Sequence, residues 1–149
     1  MIAGLQIVPL RIIADERGAV MHMLRADAAH FSKFGEIYFS TIFPGKVKAW
    51  HRHKTMVRNY AVPVGEIKLV LYDDRPASAS AGEVQEIALG VKNYNLVVIP
   101  PLVWSGFSCV GSETALIANC ASLPHDPKEA ERLEPKSSLI PYNWDMANA

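Results

Sequence analysis

Two histidines separated by a single residue, with an arginine shortly after them, are the first candidates for chemistry in this sequence. His51 and His53 lie in the stretch GKVKAWHRHKTMVRNYAVPVG, which also contains Arg58. Residues two apart on a strand point to the same face, so both imidazoles are expected in one pocket if that face lines a small barrel. Imidazole can accept a proton near pH 7 or bind a metal ion, and a fixed cation can stabilise negative charge on oxygen. Arg58 is expected on the next strand, facing the histidines across the pocket.

The spacing of this stretch resembles the first sequence motif of the cupins, which are small antiparallel β-barrels. A glycine, His-x-His and a second glycine follow in that order, but Arg58 stands where metal-binding cupins have glutamate. In the later stretch IPPLVWSGF, Ser105 takes the place of a third metal-ligating histidine. Arginine offers no lone pair and repels a divalent ion, so we predict no metal. Two alternatives stay open: a metal-dependent cupin that uses His51 and His53, and histidines that are merely polar residues on a solvent-facing strand.

The elements that must position these residues are predicted to be short strands. Segments rich in Val, Ile, Tyr and Phe recur at intervals of roughly ten residues, and long helical periods are missing. This pattern favours an all-β fold, a cupin (jelly-roll) antiparallel β-barrel with a short C-terminal helical or extended tail, as one domain over 1–149. The predicted strands are 5–13, 19–24, 36–43, 47–53, 56–62, 66–72, 94–99, 106–110 and 114–120.

Three further segments are predicted to differ from strands. The stretch RPASASAGE is typical of an exposed loop. Residues 27–34 could form one or two helical turns, with Asp27 as the N-cap. From Pro124 onward several prolines predict a tail that wraps the barrel as turns and a short helix near 128–133.

Composition excludes some classes of partner. Lys plus Arg and Asp plus Glu number 15 each, so no long-range field favours nucleic acid or an acidic membrane. No apolar run approaches the roughly 20 residues that cross a bilayer, and the start MIAGLQIVPLRII does not resemble a signal peptide. We therefore expect a cytoplasmic protein in which Cys109 and Cys120 are reduced, mostly buried thiols.

Five separate segments, in order along the chain, resemble the dTDP-4-dehydrorhamnose 3,5-epimerase family. They are DERG at 15–18, KAWH at 48–51, VGEIKLVLYDDR at 64–75, IPPLVWSGF at 99–107 and PHDPKEAER at 124–132. None is decisive alone, but five in sequence order form a specific signal. The resemblance implies a nucleotide-linked sugar as substrate, no cofactor and a homodimer.

The resemblance also implies roles for individual residues. His51 is implied to remove a proton from a carbon next to the 4-keto group of the sugar, and Arg58 is implied to stabilise the enolate. Imidazole suits this base because it is neutral near pH 7. Arg17 in the DERG turn, together with Lys48 and Arg75, is implied to bind the diphosphate and the base of the nucleotide. The alternative for each is a solvated surface charge, and for Arg75, which follows two aspartates in a turn, this alternative is favoured.

Two departures from the family pattern concern proton transfer. An ungapped comparison places Asn119 where the family has its general-acid tyrosine, and an amide cannot donate a proton at neutral pH. Tyr60, His53 or a water molecule is then left to supply the proton. The family also uses an aspartate behind its histidine, and we expect this shorter chain to lack the C-terminal region that supplies it.

The sequence thus predicts an epimerase or isomerase of a nucleotide-linked 4-keto-6-deoxyhexose that uses metal-independent proton abstraction. Inversion of one centre, inversion of two, or a shift of the keto group are all compatible with these residues. The main alternative is a sugar-nucleotide-binding cupin with reduced catalysis and a regulatory or partner role.

Overall fold

The structure is a computed structural model that describes residues 1–144 of the chain. Its regular elements are β1 (Gln6–Pro9), β2 (Ile12–Asp15), β3 (Gly18–Met21), β4 (Glu36–Ile42), β5 (Val47–His53), β6 (Arg58–Val64), β7 (Glu66–Tyr72), β8 (Val84–Gly90), β9 (Asn95–Ile99), β10 (Trp104–Val110), β11 (Ala115–Ala121) and β12 (Ala130–Arg132).

Two five-stranded antiparallel sheets form the barrel. The first has the order β1-β9-β6-β11-β4 and the second has the order β12-β5-β10-β7-β8, while β2 and β3 pair with each other as a separate hairpin. The main apolar core takes residues from both sheets, such as Val97 and Ile99 from the first and Leu69 and Leu71 from the second. Burial of the inward-facing side chains between two sheets is what holds such a sandwich together. The predicted all-β cupin barrel is confirmed.

Most strand predictions agree with the structure. β5 and β7 match the predicted ranges at both ends, whereas the predicted strand 5–13 is broken into β1 and the start of the β2–β3 hairpin. β8 was not predicted, although Ile87 and Leu89 are buried and alternate with the exposed residues Glu86 and Ala88. The preceding loop residues, rich in Ala, Ser and Gly, obscured where this strand begins.

The two helical predictions were wrong. Residues 27–34 form turns without a helix. The segment predicted as a helix near 128–133 instead contains β12, which pairs with β5 so that Ala130 lies opposite His53 and Arg132 lies opposite His51. Backbone pairing with an exposed strand edge outweighs the high helix propensity of these residues.

A β-bulge in β5 sets the direction of the site residues. Ser105 of β10 pairs with His51, but Phe107 pairs with Lys48, so β5 carries one extra residue opposite Gly106. A side chain at Gly106 would collide with Ala49, whose Cβ would lie 2.5 Å from the added atom. In a regular strand, Lys48 and His51 would point to opposite faces, and the bulge allows both to line the same cavity.

The C-terminal tail packs on the outer side of β5. Trp50 is buried between its strand and the tail, with Trp144 at 5.2 Å and Tyr142 at 6.0 Å between ring centroids. These contacts fix the backbone that carries His51 on the other face. Cys109 and Cys120 are buried free thiols, as predicted. In the part of the chain that the structure describes, no helix is long and apolar enough to cross a membrane.

Candidate active site

A cavity of about 500 Å³ lies between the two sheets. The second sheet contributes the histidines and Lys48 from β5, and the first sheet contributes Arg58 and Tyr60 from β6 with Asn119 from β11. All the predicted catalytic residues therefore meet in one place. The cavity is lined by Tyr38, Ser40, Val47, Lys48, Ala49, His51, His53, Arg58, Tyr60, Phe107, Ile117, Asn119, His125, Ala130 and Arg132.

His51 is held as a neutral imidazole with a defined tautomer. Its Nε2 lies 2.7 Å from Nη1 of Arg132, and because a guanidinium can only donate, Nε2 accepts and Nδ1 carries the proton. Burial, together with the positive charges of Arg132 and Arg58, lowers the pKa of His51 to about 4. This base is therefore unprotonated at neutral pH, and its lone pair accepts the hydrogen bond from Arg132.

His53 has the carboxylate partner that the sequence did not reveal for either histidine. Nδ1 of His53 lies 2.5 Å from Oε1 of Glu129, and the other carboxylate oxygen accepts the backbone N–H groups of Thr55 and Met56 at 2.8 Å. Burial opposes ionisation of Glu129, but the hydrogen bonds from Thr55, His53 and Met56 outweigh it and lower the pKa of this carboxyl. The carboxylate thus fixes the proton on Nδ1 and leaves Nε2 available.

Two opposing influences act on the protonation of His53. Burial and the charge of Arg58 lower the pKa of this imidazole, while the hydrogen bond and the charge of Glu129 act to raise it. His53 is thus oriented by an anion, whereas His51 is oriented by a cation. The two imidazoles lie on the same wall of the cavity but differ in which ring nitrogen is hydrogen-bonded: Nε2 in His51 and Nδ1 in His53.

Arg58 is a buried cation with an unused donor. Its side chain is 1 % exposed, its Nη1 donates to the hydroxyl of Ser105, and its Nη2 donates to the carbonyl of Val103 at 3.0 Å. Its Nε is buried and has no hydrogen-bond partner within residues 1–144. Ser105, at the position of a third cupin histidine, therefore serves the guanidinium. A buried cation that lines a cavity and has only neutral hydrogen-bond partners is suited to stabilise an oxyanion.

Asn119 connects two strands of the first sheet. Its Oδ1 accepts the backbone N–H of Asn59 at 3.1 Å, so its Nδ2 faces the hydroxyl of Tyr38 at 3.0 Å. Tyr60 also lines the cavity, where its ring packs edge-on against Phe107 and lies 5.9 Å from the guanidinium carbon of Arg58. Asn119, which was predicted to take the place of the family's general-acid tyrosine, thus donates a hydrogen bond to a neighbouring tyrosine.

The predicted nucleotide-binding cations are separated by the fold. Lys48 lines the cavity, and its Nζ donates to the hydroxyl of Ser40 at 3.0 Å and to the carbonyl of Thr41 at 2.6 Å. Arg17 lies in the β2–β3 turn with its side chain 82 % exposed, paired with Asp15. Arg75 lies outside the cavity and is bound to Asp73 and the carbonyl of Ala3.

Sequence reasoning missed Tyr38, His125 and Arg132, which line the cavity, and Glu129, which pairs with His53. The signal for Arg132 and Glu129 was present, because both lie in the PHDPKEAER segment, but the helix predicted there placed them on the surface. Among residues 1–144, no group of three or more His, Cys, Asp or Glu side chains is arranged to hold a metal ion.

Comparison with known proteins agrees with this geometry. The family model described as dTDP-4-dehydrorhamnose 3,5-epimerase matches residues 1–149. The probable low-salt glycan biosynthesis epimerase Agl13 of Haloferax volcanii is 32 % identical over 144 residues, which cover 95 % of this chain and 89 % of that protein. The spore coat polysaccharide biosynthesis protein SpsL of Bacillus subtilis is 29 % identical over 147 residues, covering 97 % of each.

Solved structures give the same result. A dTDP sugar isomerase from Desulfovibrio desulfuricans is 48 % identical and superimposes with a TM-score of 0.95, covering 97 % of this chain and 92 % of that one. The epimerase RmlC from Legionella pneumophila, at 22 % identity, supports the fold with a TM-score of 0.82, over 94 % of this chain and 78 % of that one. The match over the whole length of the chain shows that it belongs to the dTDP-4-dehydrorhamnose 3,5-epimerase family.

Proposed function

We propose that this protein is an epimerase or isomerase that removes a proton next to the keto group of a nucleotide-linked 4-keto-6-deoxyhexose. The observation that carries the proposal is the pairing of a neutral imidazole with an incompletely bonded guanidinium across one cavity. His51 lies on the second sheet and Arg58 on the first, and Nε of Arg58 is buried without a partner. This arrangement suits a reaction in which a base takes a proton and an oxygen gains negative charge.

Each proton and charge in this reaction has a residue to receive it. Nε2 of His51 takes the proton from the carbon, the electrons of the broken C–H bond form an enolate, and the oxygen of the enolate meets the guanidinium of Arg58. Arg58 is fixed by Ser105 and Val103 before substrate arrives, so no reorganisation is needed as the charge develops. The reaction requires no metal or redox cofactor.

Arg132 must move or share its donor before His51 can act. Its guanidinium occupies Nε2 of His51 and, within residues 1–144, makes no ion pair with a carboxylate. A diphosphate is a better partner for a guanidinium than a neutral imidazole is. We infer that the anionic substrate draws Arg132 away, which frees the lone pair and removes one of the charges that lower the pKa of His51.

The place of Arg17 is explained if the protein acts as a homodimer. The β2–β3 hairpin pairs with neither main sheet and exposes Ile12, Ile13 and Val20, although isolated hairpins are barely stable in water. We propose that a second copy covers the hairpin and receives Arg17 at its nucleotide site. Mixing Arg17→Ala and His51→Asn chains tests this, since mixed dimers should regain activity that each variant lacks. No regain between chains shown to exchange subunits would contradict it.

Exchange of substrate protons with deuterated water tests the proposed function directly. Wild-type protein is incubated with dTDP-4-keto-6-deoxyglucose, and label at carbons 3 and 5 is followed by NMR. His51→Asn keeps the size of the side chain but cannot accept the proton, so exchange is expected to fall by about 10²–10⁴-fold while dTDP still binds. His53→Asn is the matched variant and is expected to lose less.

Three results would contradict these assignments. Exchange at the wild-type rate in His51→Asn, together with its loss in His53→Asn, would move the base to His53 and its Glu129 partner. Absence of exchange in the wild type with several 4-keto nucleotide sugars, despite binding of dTDP, would replace the enzyme by a binding protein. Loss of wild-type exchange on treatment with a chelator, with about one equivalent of metal bound per chain, would exclude the metal-free mechanism.

A further inference from the structure

Inversion at a carbon requires a proton donor on the side of the sugar opposite the base. His51 and His53 both project from β5 of the second sheet, so they share one wall of the cavity. The wall that faces them is the first sheet, where the polar or charged residues that line the cavity are Tyr38, Ser40, Arg58, Tyr60 and Asn119. A guanidinium, an amide and a serine hydroxyl do not release protons near pH 7, which leaves the two tyrosines on this wall.

Tyr38 is the tyrosine whose proton is free and whose oxygen is fixed. It lies directly opposite Asn119 in the β4–β11 pairing, and Nδ2 of Asn119 donates to its hydroxyl oxygen at 3.0 Å. That amide cannot be turned around, because its Oδ1 is held by the backbone N–H of Asn59. The hydroxyl of Tyr38 thus accepts from Asn119 and has its own proton left to donate.

The surroundings of Tyr38 suit a proton donor that must be reprotonated after each turnover. Tyr38 and Ser40 share the cavity face of β4, and the ring of Tyr38 is 42 % exposed because β4 is the edge strand of its sheet. Burial and the neighbouring Tyr60 raise the pKa of Tyr38, against the opposing effects of Asn119 and Arg58, so the phenol is protonated at neutral pH. Water at the open edge can return the proton after each turnover.

We propose that Tyr38, positioned by Asn119, is the general acid that delivers the proton to the enolate carbon. The proposal rests on the proposed function. The Tyr38 O–H bond breaks, a C–H bond forms on the face away from His51, and the enolate returns to a ketone. The tyrosinate, stabilised by the N–H of Asn119, then takes a proton from water, and protonated His51 releases one, so no co-reactant is consumed.

Separating exchange from inversion tests the role of Tyr38. In deuterated water, Tyr38→Phe should still incorporate label, because His51 can return a deuteron to the face from which it took the proton. Its yield of inverted sugar should fall at least about 100-fold. Asn119→Asp gives a second test without a change in size, since a carboxylate would accept the Tyr38 proton and hold it away from the substrate. It should also keep exchange and lose inversion.

Matched variants make each outcome decisive. Tyr94→Phe removes a buried hydroxyl that bonds the carbonyl of His22 away from the cavity, and it should keep both exchange and inversion. Wild-type inversion in Tyr38→Phe, loss of both signals in a folded Tyr38→Phe protein, or separation of the signals by Tyr60→Phe instead would each overturn the assignment. A wild type that moves the keto group without inverting a centre would overturn it while leaving an isomerase; a wild type without exchange would overturn the proposed function itself.

Discussion

Two arginines, one in the cavity and one in a turn, show how a cation prepared for a ligand differs from a cation that supports the fold. Arg75 is paired with a carboxylate of its own chain: its guanidinium donates to both oxygens of Asp73 at 2.8 Å and to the carbonyl of Ala3 at 2.7 Å. Arg58 is more deeply buried, yet it has only neutral partners and one donor without any. Burial of a cation without a counter-charge is costly.

The comparison indicates that Arg58 lowers stability in favour of function, whereas Arg75 contributes to the stability of the fold. The fully buried Asp73 also accepts hydrogen bonds from the hydroxyls of Ser78 and Ser80. The charges of Asp73 and Arg75 therefore compensate each other within the turn. The charge of Arg58 is not compensated in this way: among residues 1–144, no carboxylate lies within ion-pair distance of its guanidinium. A site that stabilises an oxyanion needs a cation whose charge is not yet compensated when the substrate binds.

Of the two arginines compared, Arg58 should have the larger effect on activity when it is replaced. Arg58→Met conserves much of the volume and removes the charge that stabilises the enolate, so turnover should fall by about 10²–10³-fold. The free energy of unfolding should change by no more than about 1 kcal/mol, because the buried charge had no counter-ion to lose. Rates of deuterium exchange and denaturant unfolding measure the two quantities.

Arg75→Met is the companion variant for that comparison. It should reduce stability and leave the turnover of folded protein unchanged. A fall in turnover comparable to that of Arg58→Met would show that Arg75 binds substrate, as the family resemblance implies, and that its bonds to Asp73 are exchanged for bonds to phosphate.

Asp73→Asn should give the next largest effect, on stability instead of activity. The amide cannot accept all the hydrogen bonds of the carboxylate, and it leaves Arg75 without its counter-charge. Because Arg75 is partly exposed, with 23 % of its side chain accessible, we expect a loss of about 2–3 kcal/mol in the free energy of unfolding. Denaturant titration of both proteins gives the difference, and a loss below about 0.5 kcal/mol would mean that the turn is held by its backbone alone.

Much of the fold could be predicted because it depends on local patterns. Enrichment in apolar and β-branched residues between turn signals predicted β5 and β7 with the limits that the structure has, and turn residues marked the ends of most other strands. β12 could not be predicted in this way, because residues 130–132 become a strand only by pairing with the edge of β5. Long-range pairing leaves little trace in so short a segment.

The site was predictable to the extent that it follows from strand periodicity. His51 and His53 share a face because they are two residues apart, and the structure brings Arg58 to the facing sheet. Periodicity could not show that a bulge turns Lys48 to the same face as His51, or that Asn119 lies opposite Tyr38. These contacts depend on register between strands distant in sequence, which composition and spacing do not encode.

Removing the positive charge of Arg132, which donates to His51, should give the smallest of these effects, a change in the pKa of His51. In the wild type, burial and then Arg132 lower the pKa of His51 to about 4, so the free enzyme loses its base only below that pH. Arg132→Met removes the second of these causes, and the acid limb of kcat/KM should therefore move upward, towards the ordinary histidine value of about 6.5. The direction follows from charge: a neighbouring cation disfavours the imidazolium, so its loss favours protonation at a higher pH.

NMR titration of the His51 ring in the free protein measures the same shift without substrate, which separates it from weaker binding of the diphosphate. Glu131→Gln, a change at the adjacent residue whose carboxylate pairs with Arg52, is the control and should leave the His51 titration nearly unchanged. If the His51 titration does not move in Arg132→Met, the guanidinium does not occupy Nε2 in solution, and the histidine is available as a base before any anion binds.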